Sequence, residues 1–152
     1  MGRATEYSVV LDVEDWLMID ATLDDELDRL SQEGWDQDDW GEPSRDPHWA
    51  ELSELGLSVR QAGWAQVPEQ QRNQRRTAGR AETLTPTARQ WGLVVFALES
   101  RGSHQIPAGV RPEYVEMLKT TAARRRRIAA LLRRQLAVGG LSQVPVVDTR
   151  GR

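Results

Sequence analysis

Cysteine is absent from the 152-residue chain. Its absence excludes disulfides and thiolate nucleophiles, and removes the usual structural zinc sites. Lysine is almost absent: Lys119 is the only one among 20 basic residues, the others being arginine. This bias reads first as GC-rich codon usage, and second as a supply of forked donors suited to carboxylate or phosphate. No apolar run approaches the roughly 20 residues that cross a bilayer. The opening MGRATEYS lacks the apolar stretch of a secretion signal, so the expectation is a cytoplasmic chain with no membrane contact. Phosphate-cradling glycine loops and nucleophile elbows are also missing. The two histidines, His48 and His104, lie far apart. The paired carboxylates Asp24-Asp25 and Asp38-Asp39 offer no selected acid/base couple. A non-enzymatic protein is expected, with no cofactor and no metal.

What remains describes one domain: 39% apolar residues, 28% charged residues and a mean hydropathy of -0.60. The net charge of -3 conceals a division. Residues 1–60 hold 17 acids and 4 arginines, a net of -13, and residues 61–152 hold 6 acids and 16 bases, a net of +10. Such asymmetry signals an interaction within the chain, between two copies, or with a foreign partner.

The stretch TEYSVVLD (5–12) reads as a strand. Asp12 then caps a helix whose first turn holds Glu14 and Asp15, and in which Trp16, Ile19, Leu23, Leu27 and Leu30 share one face. Gly34 ends it. WDQDDWGEPSRDP (35–47) reads as a loop, and a helix opens at Pro47 behind Asp46. Gly56 is expected to interrupt that helix before a second segment at 58–67. Residues 68–83, with no aliphatic larger than alanine, read as a linker. ETLTP (82–86) reads as a strand, with Thr85 as cap and Pro86 as the first helical residue. A long helix is expected over 112–138, closed by Gly139-Gly140, followed by an extended tail at 141–152.

The two halves are alike. VVLDVEDWLMIDATLD and TLTPTARQWGLVVFALE both read strand, cap, helix, and Trp16, Ile19, Leu23 and Asp24 match Trp91, Val94, Leu98 and Glu99 at an offset of 75. PHWAEL (47–52) similarly resembles PEYVEM (112–117). The expected fold is mainly α. It is a four-helix, bundle-like domain over 1–140, made of strand-helix-loop-helix halves at 5–67 and 82–138, with a short two-stranded β element.

AARRRRIAALLRRQ (122–135) packs six arginines into one helix. With Ile128 at zero, Tyr114, Met117, Leu118, Thr121, Leu131, Leu132 and Leu136 fall within about 80° and Arg125 at about 60°. Arg125 therefore needs a carboxylate inside the bundle. Asp20 and Glu26, at the edges of the first helix's apolar face, are the expected partners. Arg126, Arg127, Arg133 and Arg134 are expected to face outward, toward a protein partner or nucleic acid. In the acidic half, Trp35, Asp38, Asp39 and Trp40 suit a partner-facing loop. The same loop, DQDDWGE (36–42), has the Asp spacing and glycine of a calcium loop, but Trp40 and Pro47 stand where two ligands are needed.

AELSELGLSVRQAGWAQV (50–67) resembles a helix-turn-helix. On that resemblance Ser58, Arg60 and Gln61 would read the major groove, and Arg72, Arg75, Arg76 and Arg80 would contact phosphates. Leu52 departs from the pattern, which wants a small residue there, and the preceding helix is acidic. The leading expectation is a binding or regulatory protein acting through protein contacts, as an inhibitor or immunity protein does. A DNA-binding regulator is the alternative.

Overall fold

The computed structural model describes residues 5–33, 35–37, 43–45, 47–66, 81–103 and 106–149; of residues 31–33, 35–37, 43–45, 47–49 and 66 it describes the backbone only. The described residues form strand β1 (Val9–Asp12), helix α1 (Val13–Glu33), strands β2 (Trp35–Gln37) and β3 (Pro43–Arg45), and helix α2 (Pro47–Gln66). Strand β4 (Ala81–Leu84) and helices α3 (Ala88–Gly102) and α4 (Pro112–Val138) follow. The described residues are mainly α, with four helices and a small antiparallel ribbon, as expected.

β1 and β4 pair antiparallel, with Val9 opposite Leu84 and Asp12 opposite Ala81, and the ladder resumes at a bridge between Glu6 and Thr87. The paired segments are thus centred on Val9 and Leu84, which differ by the same 75 positions as the sequence repeat. The offset also carries Asp12 to Thr87 and the first residue of α1, Val13, to that of α3, Ala88. Each helix has the cap that this predicts. Asp12 Oδ1 accepts from the Glu14 amide at 3.2 Å. Thr87 accepts from the Gln90 amide, while the Gln90 side chain returns a bond to the Thr87 amide, a full capping box. The cap of α3 is therefore Thr87, not Thr85, because the strand partner of Glu6 keeps 85–87 extended. Replacing Thr87 with alanine should cost about 1 kcal/mol in urea unfolding.

The repeat extends to packing. α1 lies against α2 as α3 lies against α4, and α2 touches β4 as α4 touches β1. At the pseudo-twofold axis the buried Ile19 and Leu23 meet their counterparts Val94 and Leu98 in one core, with Trp16 and Trp91 also inside it. Glu26 and its equivalent Arg101 form an ion pair across that axis at 3.1 Å. The symmetry breaks at the tryptophans. The Trp91 indole donates to the Tyr7 carbonyl at 2.9 Å, whereas the buried Trp16 indole nitrogen has no hydrogen-bond partner among the described residues. Gln135, from α4, bonds both backbone groups of Val10 and so covers the free edge of β1.

Three expectations are corrected. First, residues 35–45 are not wholly loop: β2 and β3 pair, with Trp35 opposite Arg45. Strands of three residues are too short to show an alternation pattern. Second, α2 is unbroken through Gly56. Gly56 and Gly63, two turns apart, both face α1. A methyl group on Gly56 would meet the Leu27 side chain, and one on Gly63 would fall inside the Trp16 ring. These glycines permit close helix contact rather than a turn. Third, segment 141–149 is extended but not a free tail. Val147 is buried, Leu141 and Val144 are partly so, and Thr149 reaches α1. The domain thus continues beyond residue 140, and the expected linker 68–83 gives its last residues, 81–83, to β4.

Candidate functional site

The helix-turn-helix expectation fails on the continuity of α2: an unbroken helix has no turn after which a recognition helix could begin. Two of the three expected reading residues are also engaged elsewhere. The Ser58 hydroxyl donates to the Leu55 carbonyl and accepts from the Gln90 side-chain Nε2. Arg60 is held by Asp20 at 2.8 Å and Asp24 at 2.9 Å, and the Trp64 indole donates to the same Asp20. Hydrogen bonding to Asp20 raises the pKa of Arg60, opposed by partial burial, so its charge is fixed on α1. Gln61 is exposed. Arg72, Arg75, Arg76 and Arg80 lie outside the described residues, as do Asp38, Asp39, Trp40, His104 and the side chains of Trp35 and His48.

The arginine run of α4 is split: Arg124 and Arg125 are partly buried, while Arg126, Arg127, Arg133 and Arg134 are exposed, the first three of them engaged at the surface with α1 or α3. Arg124 and Arg127 bracket Asp15 at 3.5 and 3.1 Å. Arg126 donates to the Gly102 carbonyl at the end of α3. Arg133 forms a two-pronged pair with Glu99 at 2.7 and 2.8 Å, which raises its pKa chiefly through that hydrogen bond. Of the four arginines expected to be free, only Arg134 lacks an ion pair or hydrogen bond among the described residues. The negative N-terminal and positive C-terminal halves are therefore partly paired with each other within the chain, through Asp15, Asp25, Glu26 and Glu51.

Arg125 does reach α1, but neither expected carboxylate receives it. Its Nε donates to Thr22 Oγ1 at 3.2 Å, and its nearest carboxylate is Asp25 at 3.9 Å. The helical wheel explains the difference. Asp20 and Glu26 sit on opposite edges of the apolar face of α1, about 120° apart. α2 covers the Asp20 edge. On the other edge Glu26 is already saturated: it accepts from Arg29 at 2.7 Å, from Arg101 at 3.1 Å and from the Thr149 hydroxyl at 3.1 Å.

One region was not foreseen. α3 ends at Gly102, against Ala122 and Arg126 of α4, so the preceding turns of α4 run on alone. On that overhang Tyr114, Met117 and Leu118 are 47%, 56% and 37% exposed. At its root a cavity of about 510 Å³ opens between α4, the end of α3 and residues 106–107. Four cations line it: Arg101, Lys119, Arg125 and Arg126. Its apolar wall is Ile106, Pro107, Leu118 and Ala122. Burial lowers the pKa of Arg125, and the charge of Arg101 lowers it further. The sequence signal was there in the exposed length: α4 has 27 residues and α3 has 15.

Among the described residues no group of three or more His, Asp or Glu side chains is placed to hold a metal ion. None of the described helices is long and apolar enough to cross a membrane. Comparisons with protein families, with curated proteins and with solved structures find no match to the chain.

Proposed function

We propose that this is a small, non-enzymatic, cytoplasmic binding protein that acts by occupying a protein partner, as an inhibitor or immunity protein does. The observation that supports this reading is the overhang of α4. Tyr114, Met117 and Leu118 present large apolar side chains on a helix face that no other described element covers. Aromatic residues and methionine are enriched at the centres of protein interfaces. Of the cations farther along α4 only Arg125 shares this side of the helix; Lys119 and Arg126 sit roughly 130–150° from its centre. The partner surface is accordingly apolar at its centre. Trp35, Asp38, Asp39 and Trp40 remain candidates for a second contact. Arg126, Arg127 and Arg133 contribute little beyond their intramolecular pairs, which leaves Arg134 as the cation available to a partner on the far part of α4.

The test is affinity capture from a native lysate with the wild-type chain and with Met117→Glu. The wild type should retain a stoichiometric protein, and Met117→Glu should lose it with an unchanged melting temperature, because the side chain is exposed. Equal capture by both chains would move the interface elsewhere. Capture of nucleic acid instead, seen as an excess of 260 nm absorbance, would favour the DNA-binding reading.

A further inference from the structure

We propose that the cavity at the root of the α4 overhang is a binding site for a small organic anion, a carboxylate or phosphate monoester carried on an apolar body. This site goes beyond the partner surface and is tested without a partner. Its volume of about 510 Å³ lies within the range of ordinary small-molecule sites, roughly 300–1,000 Å³. It differs from a generic crevice in its charge. Arg101 and Arg125 are largely buried, with side chains 18% and 17% exposed, and Arg101 lies close enough to disfavour the charge of Arg125. Arg126 and Lys119 add two more cations, and among the described residues no carboxylate lines the cavity.

The protein's own acids do not balance this cluster. Glu26 is shared between Arg101 and Arg29. Asp25 stands 3.9 Å from Arg125 and is itself more than half exposed. Glu116 reaches only Lys119, at 3.6 Å on the surface. Among the described residues each of the three guanidiniums makes one hydrogen bond: Arg101 to Glu26, Arg125 to Thr22 and Arg126 to Gly102. A guanidinium has five N–H donors. The cluster therefore combines incompletely compensated positive charge, spare donors and, at Arg101 and Arg125, shelter from bulk water, which together favour an oxyanion. The wall of Ile106, Pro107, Leu118 and Ala122 opposite it would take an alkyl or aromatic body, so inorganic phosphate would satisfy only half the site.

The experiment is a titration of the isotopically labelled full chain, followed by amide NMR, with octanoate, hexyl phosphate, octanamide and inorganic phosphate. Octanoate or hexyl phosphate should give saturable shifts centred on Ile106, Leu118, Ala122 and Arg125. Octanamide, equal in shape but uncharged, should bind at least about tenfold more weakly, since charge-assisted hydrogen bonds are worth about 1.5–3 kcal/mol. Inorganic phosphate should also be weaker. Arg125→Gln should cost about tenfold or more in octanoate affinity. Because Arg125 also braces Thr22, Lys119→Gln, on an exposed side chain, is the second variant and should weaken octanoate by a few-fold with an unchanged melting temperature. Four results would overturn the site: equal binding of octanoate and octanamide, equal binding of inorganic phosphate, shifts centred elsewhere, or no saturation by either amphiphilic anion.

Discussion

Replacing Glu26 by alanine is expected to lower the unfolding free energy by about 3–5 kcal/mol, one of the two largest losses any single polar or apolar side chain should produce. Glu26 is 1% exposed and joins three parts of the structure: its own helix through Arg29, α3 through Arg101, and the C-terminal segment through Thr149, with Arg29 also donating to the Thr149 carbonyl at 2.7 Å. Its removal leaves two buried cations side by side, with Arg125 close by. At roughly 2–4 °C per kcal/mol for a chain of this size, the melting temperature should fall by about 6–20 °C. Glu99→Ala is the control. It removes an equally well-formed bond pair, but both Glu99 and Arg133 are more than 40% exposed, so the cost should stay below about 1 kcal/mol. Similar losses for the two variants in urea titrations would show that Glu26 is not the buried junction described above.

Trp16→Ala should be comparably severe, at about 3–5 kcal/mol, through loss of a buried indole and the cavity left behind. Its contacts make a sharper statement. Trp64 meets Trp16 edge to face at a centroid separation of 5.9 Å, and the absent side chain of Gly63 makes room for the ring. Gly63→Ala should therefore destabilise the wild type by about 1–3 kcal/mol through overpacking, despite the roughly 1 kcal/mol by which alanine favours a helix over glycine. In the Trp16→Ala background the ring is gone, and the same substitution should become neutral or stabilising. A double-mutant cycle reads this reversal directly. Additivity within about 0.5 kcal/mol would contradict the contact.

Much of this architecture was legible because it follows from local periodicity. The cap of α1, its apolar stripe, the bounds of α4 and the 75-residue repeat all reside in short windows of sequence, and the structure carries the repeat further, into strand register and helix starts. What was not legible depends on where a neighbouring element begins or stops. The wheel of α4 groups Tyr114, Met117 and Leu118 with Ile128 and Leu132, yet only the latter two are buried, because α3 ends too soon to cover the rest. A wheel also gives Asp20 and Glu26 equal standing, although different helices cover the two edges of α1. Gly56 reads as a breaker from composition and proves to be a contact, since glycine serves both ends. The oxyanion-suited cavity is built from the close of α3, the loop at 106–107 and the overhang, three places with no shared motif.

The pairing of β1 with β4 has a consequence in time. During synthesis at about 5–20 residues per second, β1 emerges several seconds before its partner strand. Over that interval α1 and α2 present a half-core with an open strand edge, the condition in which chains associate with one another. The N-terminal 60 residues carry a net charge of -13 through that interval, and mutual repulsion keeps such intermediates apart. The arginines of α4 that cancel this charge arrive last, together with the helix that closes the fold.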